Sequence, residues 1–171
     1  TYLTNAIVRR DTLVNGSNQF FIEGDFATVQ TNKNAAQATI YGLSSQVRYL
    51  ISSNWLASAT YNYTYGQDLT NDVAMAHIPP EFGKVSLEFQ KDRVTAEAYM
   101  MYASQKSLAR YGPGTADNLI EAVEIGTPAW QTFNLRTSTK ISKTVVLQLA
   151  VENILDTHYK AFASGLSAPG R

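Results

Sequence analysis

Hydrophobic and polar residues alternate one for one along several segments of this 171-residue chain. In "WLASATYNYTYG", residues 55 to 66, one face carries tryptophan, alanine and tyrosine, while the other carries mainly serine, threonine and asparagine. A period of two is typical of a β-strand with one apolar and one polar face. The pattern recurs in "IYGLSSQVRYLI", "GKVSLEFQK", "VTAEAYMMY", "WQTFNLRTST" and "VVLQLAVE". With the opening "YLTNAIVRR", the sequence predicts about seven strands and no convincing helix.

The connections between these strands alternate in length. The short ones are "SSN", "KDR" and "KISK", and the long ones cover residues 11 to 26, 67 to 81 and 108 to 129. This sorting predicts a transmembrane antiparallel β-barrel with short periplasmic turns and long extracellular loops. Two alternatives share the alternation and stay open, namely a soluble β-sandwich or lipocalin-like binding protein and a passive outer-membrane porin.

Composition excludes several other classes of protein. The formal net charge is zero, whereas a nucleic-acid-binding protein needs a clustered excess of lysine and arginine. The absence of cysteine removes a disulfide framework and any thiolate metal site. No apolar run approaches the roughly 20 residues that a membrane-spanning helix requires. A spanning barrel remains compatible with the sequence, because its strands need only weak alternation.

The placement of charges also favours a barrel. In lipid, an arginine or lysine near the bilayer midplane costs about 2 to 4 kcal/mol, whereas a water-filled lumen accepts it. Six charged residues fall on the polar faces and are predicted to face the lumen: Arg48, Lys84, Glu88, Glu97, Arg136 and Glu152. On the apolar faces, Tyr63, Tyr65 and Tyr102 lie near the long loops and Trp55 near the short turns, as expected for aromatic girdles.

Four segments resemble motifs of TonB-dependent outer-membrane receptors. They are "NAAQATIYGLS", "HIPPEFGKVSLEF", "GTPAWQTFNLRTS" and "LQLAVENILDTHYKAFASGLSAPGR". The last segment is the most specific, because it is similar to the penultimate strand of that family with its Asn-x-x-Asp-x-x-Tyr exit and the Gly-Arg opening of the final strand. The resemblance extends over nearly the whole chain from about Asn34.

The resemblance implies that residues 1 to 171 are the C-terminal part of a barrel of about 22 strands in the outer membrane, in contact with its lipid. The plug domain and the final strand would then lie outside this sequence. Such receptors bind a scarce ligand and import it with energy delivered by TonB, which contacts a region N-terminal to this chain. An iron complex, a ferric siderophore or haem, is the default expectation. Cobalamin and glycans are further ligands of the family.

Candidate ligand-binding residues are the charged and aromatic groups of the long loops: His77, Arg110, Tyr111 and Asp117. The sequence offers little for catalysis. Its two histidines are far apart, and it has no Gly-x-Ser-x-Gly elbow. The carboxylates of "DNLIEAVE" are interpreted as residues of a solvated loop. We therefore expect no enzymatic activity, no cofactor, no bound metal and no nucleic-acid partner.

Overall fold

The computed structural model describes residues 2–22, 24–113 and 117–168. These residues form ten strands: β1 (Tyr2–Asp11), β2 (Gln19–Ile22), β3 (Asp25–Thr28), β4 (Gln30–Ser52), β5 (Trp55–Asp68), β6 (Val73–Ala74), β7 (Phe82–Lys91), β8 (Val94–Ala103), β9 (Trp130–Lys140) and β10 (Val146–Val151). Two short 3-10 turns, Leu108–Arg110 and Leu119–Glu121, lie between β8 and β9. The part of the chain that the structure describes contains no candidate for a membrane-spanning helix.

Seven of these strands form one antiparallel meander in the order β1-β4-β5-β7-β8-β9-β10. The prediction of about seven strands in an antiparallel sheet is therefore confirmed. β6 adds a short pairing to β5, and β2 with β3 forms a separate hairpin. Within the described part of the chain, β1 and β10 lie at opposite edges and do not pair with each other, so the sheet is open.

The strand register gives the sheet an apolar face and a polar face. One row of paired residues runs across five strands through Val47, Ala59, Val85, Met100 and Phe133. The next row runs through Arg48, Ser58, Ser86, Tyr99 and Asn134. Because neighbouring residues of a strand point to opposite faces, these rows lie on opposite sides of the sheet. We call the side of the Val47 row the apolar face and the side of the Arg48 row the polar face. The prediction of which residues share a face is confirmed for these strands.

The apolar face is exposed. Leu87 is 40% exposed, Leu149 60% and Val47 63%, which are high values for branched aliphatic side chains on regular strands. Buried hydrophobic residues in the described part of the chain are confined to Ala38, Ala103 and Tyr111. A broad exposed apolar surface marks an interaction with a membrane or a partner rather than with water. The main-chain ladder satisfies the backbone polar groups between paired strands, as a lipid environment requires, and leaves the outer edges of β1 and β10 open among the described residues.

The strands cover more of the chain than side-chain alternation indicated, including parts of two predicted loops. β4 begins at Gln30 and pairs with β1 through the polar stretch "QTNKNAAQAT", where side chains give no period of two. β2 and β3 occupy the predicted loop at residues 11 to 26, and β5 continues to Asp68. Backbone pairing forms these segments even where most side chains are polar. Conversely, Val145 belongs to a turn, because its N–H donates to Ser142 Oγ at 3.1 Å.

Candidate functional site

The β6–β7 connector, the β8–β9 connector and the segment after β10 meet in one junction at one end of the sheet. The connector between β8 and β9, residues 104–129, is closed at its base by a bridge in which Lys106 and Thr127 exchange backbone hydrogen bonds of 2.9 and 3.0 Å. Gly126 has a φ of +97°, and a Cβ added there would lie 2.0 Å from the Lys106 carbonyl oxygen. Only glycine fits this position without a backbone shift. The base of the connector is therefore built as a fixed structure.

Asp117 holds two connectors together. Its side chain is buried at 1% exposure, and its carboxylate accepts hydrogen bonds from the backbone N–H of His77 at 2.6 Å and of Gly112 at 2.7 Å. The ammonium group of Lys106 lies 3.3 Å from the same carboxylate. These donors meet the hydrogen-bonding needs of the buried carboxylate without water. The prediction that Asp117 lies in a solvated loop is wrong.

Lys106 is the buried cation of this junction, with a relative exposure of 2%. Besides Asp117, its ammonium group donates to the Ile78 carbonyl oxygen and lies 3.7 Å from the centre of the Phe162 ring. Burial lowers the pKa of Lys106, and the Asp117 carboxylate opposes that shift. One lysine thus contacts the β6–β7 connector, the β8–β9 connector and the segment that follows β10.

The four predicted ligand residues have different surroundings. Tyr111 is buried at 8% exposure with its hydroxyl 2.5 Å from Thr127 Oγ1, and Asp117 is occupied as described. The side chain of His77 is 75% exposed, and only its backbone contacts Asp117 closely. Arg110 lies 3.7 Å from Glu81, and its guanidinium faces the rings of Tyr63 and Tyr65. The structure brings His77, Tyr111 and Asp117 to one junction, and their ligand-binding role stays a prediction.

The segment after β10, residues 152–168, folds back over this junction. Asn153 has a φ of 50°, donates from its backbone N–H to Asn134 Oδ1 at 2.8 Å, and exchanges two hydrogen bonds with Thr157. The reversed chain then stacks Tyr159 on Trp130 with ring centres 4.2 Å apart. The resemblance singled out Asn153 and Tyr159 as motif positions. Sequence reasoning did not identify Lys106, Trp130 or Phe162 as parts of the junction, because no pattern links such distant positions.

The polar face carries an ion cluster around Glu97, which is 5% exposed. Lys84 Nζ lies 2.7 Å from one carboxylate oxygen, and Arg136 Nε lies 2.5 Å from the other. The Tyr99 ring lies 4.3 Å from Lys84 Nζ and 5.6 Å from the Arg136 guanidinium carbon. Glu88 is directly opposite Glu97 across β7 and β8. All six predicted lumen-facing residues lie along this face or, for Glu152, just beyond the end of β10 beside Tyr99.

The sequence of the sheet matches a known protein family. A family model described as "TonB dependent receptor-like, beta-barrel" matches residues 1–154. The chain belongs to this family of TonB-dependent receptor barrels. A search of curated proteins finds no match. Members of the family are outer-membrane β-barrel proteins, and the receptor chain described here is accordingly an outer-membrane protein.

Solved structures of receptors share the fold. One is the copper transporter OprC, with a TM-score of 0.71 and 18% identity, covering 82% of this chain. Another is a mutant of the ferric enterobactin receptor PfeA from Pseudomonas aeruginosa, with a TM-score of 0.60 and 16% identity, covering 98% of this chain. The receptor chain spans 22% and 26% of the lengths of these two chains. In both comparisons it corresponds to about a quarter of a larger protein.

The described part of the receptor chain does not place three or more histidine, aspartate or glutamate side chains where they could together hold a metal ion. The charged groups are used in pairs and small clusters between elements instead. At the connector end these are Lys106 with Asp117 and Lys160 with Glu121, and on the polar face Lys84 and Arg136 with Glu97.

Proposed function

We propose that this chain is the C-terminal part of the barrel of an outer-membrane active transporter. The whole receptor would bind a scarce ligand at the long connectors and import it with energy from TonB. The observation that carries the proposal is the match of the receptor-barrel family over residues 1–154, that is, over nearly the full sheet. Because the family consists of transporters, we also infer that the protein is not an enzyme.

In this proposal the apolar face contacts lipid and the polar face lines the lumen. The exposed Val47, Leu87 and Leu149 support the first assignment. The ion cluster around Glu97 supports the second, because charged groups that face lipid near the midplane cost about 2 to 4 kcal/mol each. The long connectors would then lie outside the cell, and the turns at residues 52–54, 91–93 and 141–145 would face the periplasm.

For the ligand, we propose an iron complex, a ferric siderophore or haem. One structural neighbour is named as a ferric enterobactin receptor, which is consistent with this class. Another is named as a copper transporter, so a complex of a different metal is the main competitor. Cobalamin remains a third ligand class of the same general function.

The decisive experiment is uptake of radioactive iron by cells that carry or lack the complete gene, in backgrounds with and without TonB. We expect uptake of at least one iron complex to require both the receptor and TonB. A matched strain expressing a variant with its TonB-contacting segment deleted should bind the complex but not import it. Uptake that needs the receptor but not TonB would contradict active transport and favour a passive channel.

The proposal places a plug domain before this chain and a closing strand after it. The sheet supports further barrel strands beside β1 and β10, because both are open edges among the described strands and unpaired edges are costly in lipid. The plug domain is inferred from the family alone. The complete coding sequence provides the test. A plug-like segment of about a hundred residues or more upstream is expected, and a start codon immediately before Thr1 would refute the transporter architecture.

A further inference from the structure

A cavity lies between the β8–β9 connector and the segment after β10. Its volume is about 330 Å³, at the lower end of the range of roughly 300 to 1,000 Å³ that is typical of small-molecule sites. One wall comes from the connector and the other from the folded-back segment. The residues that matter for its chemistry are Tyr111, Glu121, Trp130, His158, Tyr159 and Lys160.

The aromatic walls of this cavity are held in place. Trp130 and Tyr159 stack with ring centres 4.2 Å apart and ring planes inclined by 28°. Tyr111 is fixed at its hydroxyl by Thr127 Oγ1 at 2.5 Å, and its ring meets Phe162 edge to face at 5.7 Å. Because these rings are already oriented, binding of a flat ligand ring would cost little side-chain conformational entropy. The walls therefore favour a planar aromatic group.

The rim of the cavity is polar and can open. Lys160 Nζ lies 2.5 Å from Glu121 Oε2 across the gap, with side-chain exposures of 26% and 41%. Asn118 donates from Nδ2 to the Ala163 carbonyl oxygen at 2.7 Å and forms a second bridge. A partly exposed ion pair contributes little stability, so a ligand anion can replace Glu121 as the partner of Lys160. His158 lines the same cavity and adds a second nitrogen donor.

We propose that this cavity binds a planar aromatic group bearing an acidic substituent. The ring packs against the Trp130–Tyr159 stack, and the acid pairs with Lys160 in place of Glu121. The group is either a free aromatic acid or the aromatic-acid part of a larger metal chelate. This inference rests on the proposed function, because it names the ligand chemistry recognised at the connector end of the receptor.

The test measures the binding of salicylate to the complete receptor in detergent. A parallel arm measures the binding of ferric salicylate. Saturable binding of either form is expected, and the arm that binds tighter identifies the source of the aromatic acid. Benzyl alcohol, which lacks the acid, and cyclohexanecarboxylate, which lacks the aromatic ring, should each bind at least tenfold more weakly. Binding of neither salicylate form, or equal binding of all the probes, would overturn the proposal.

Paired variants locate the site. Lys160→Gln and Trp130→Leu should each weaken salicylate binding at least tenfold. Lys143→Gln in a short turn and Trp55→Leu at the opposite end of the sheet are matched controls, and they should leave binding unchanged. Equal losses in variants and controls would place the site elsewhere.

Glu121→Gln separates binding from folding damage. This change frees Lys160 from its internal partner, so salicylate should bind several-fold tighter, a gain that misfolding does not produce. Unchanged or weaker binding would refute the exchange of anions at Lys160. Because TonB-dependent uptake is measured independently, failure of salicylate binding with intact uptake would remove this site and leave the proposed function standing.

Discussion

Replacing Asp117 by asparagine should open the β8–β9 connector while leaving the sheet assembled. The side chain keeps its shape but loses its charge. Asp117 Oδ1 accepts from the His77 N–H, and Oδ2 accepts from the Gly112 N–H and lies near Lys106 Nζ. An asparagine NH₂ group must therefore face at least one donor in either orientation. Lys106, 2% exposed, is left as a buried cation without its counter-charge.

The expected magnitude follows from this loss. Removing one partner of a buried ion pair costs about 3 to 5 kcal/mol, and the lower end is appropriate because Lys106 still donates to the Ile78 carbonyl oxygen. At about 1.4 kcal/mol per factor of ten, the open form of the connector should become roughly 100-fold more populated. The free energy of the sheet itself should change little, because Asp117 pairs with connector residues rather than with strands.

Limited proteolysis of the receptor in outer-membrane vesicles measures this opening. Thermolysin should cut the connector of the Asp117→Asn variant about 100-fold faster, under conditions where cleavage reports the open population. Glu124→Gln, an exposed carboxylate of the same connector, is the control and should leave the rate unchanged. Heat-modifiable migration should show normal assembly for both variants.

A double-mutant cycle with Lys106→Met tests the electrostatic reasoning. The single lysine variant should open the connector less than Asp117→Asn, because the carboxylate keeps its two backbone donors. The double variant should be more stable than the sum of the single effects by at least about 1 kcal/mol. Strict additivity would refute the view that the buried pair, rather than local packing, closes the connector.

Three further outcomes are expected. Leu149→Arg on the apolar face should impair assembly by about 2 to 4 kcal/mol, whereas Gln148→Arg on the exposed polar face should be tolerated, as heat-modifiable migration will show. Burial lowers the pKa of Lys106, so between the folded-state pKa and about 10.4 the unfolded chain binds more protons than the folded chain. Resistance of the connector to proteolysis should therefore rise with pH in that window. Lys106→Met should abolish the rise. Gly112→Ala should destabilise the closed connector by about 1 to 3 kcal/mol, because its Cβ would lie 2.4 Å from a backbone carbon of the facing connector. Gly165→Ala, which has open space around it, should leave the proteolysis rate unchanged.

The sheet was predictable because the alternation of apolar and polar side chains is a property of each strand by itself. A strand with one lipid-facing and one polar face shows its period in the sequence, and the rows through Val47 and Arg48 have the predicted phase. In β4 from Gln30 to Thr39 the sequence shows no period of two. The family resemblance marks the strand from about Asn34, and only backbone pairing reveals residues 30–33.

The junction of the connectors was predictable only in part. Tyr111 and Asp117 were selected for their chemistry, but the structure buries both of them in contacts between segments. Lys106 escaped notice because a lysine after a strand usually indicates solvent exposure. Its burial depends on Ile78 and Phe162, residues 28 and 56 positions away, so no local pattern could indicate it.

β4 is long enough to extend well above the membrane. Twenty-three residues at about 3.3 Å each extend roughly 75 Å, and a tilt of about 40° reduces this to a height of roughly 55 Å. An apolar barrel band is only about 25 Å tall, so the β1–β4 ribbon stands roughly 30 Å above it. The β2–β3 hairpin, with Phe21 and Phe26 in edge-to-face contact, is carried at the top. A peptide epitope inserted at this tip would be within reach of antibodies on intact cells, far from the bilayer surface and from the other connectors.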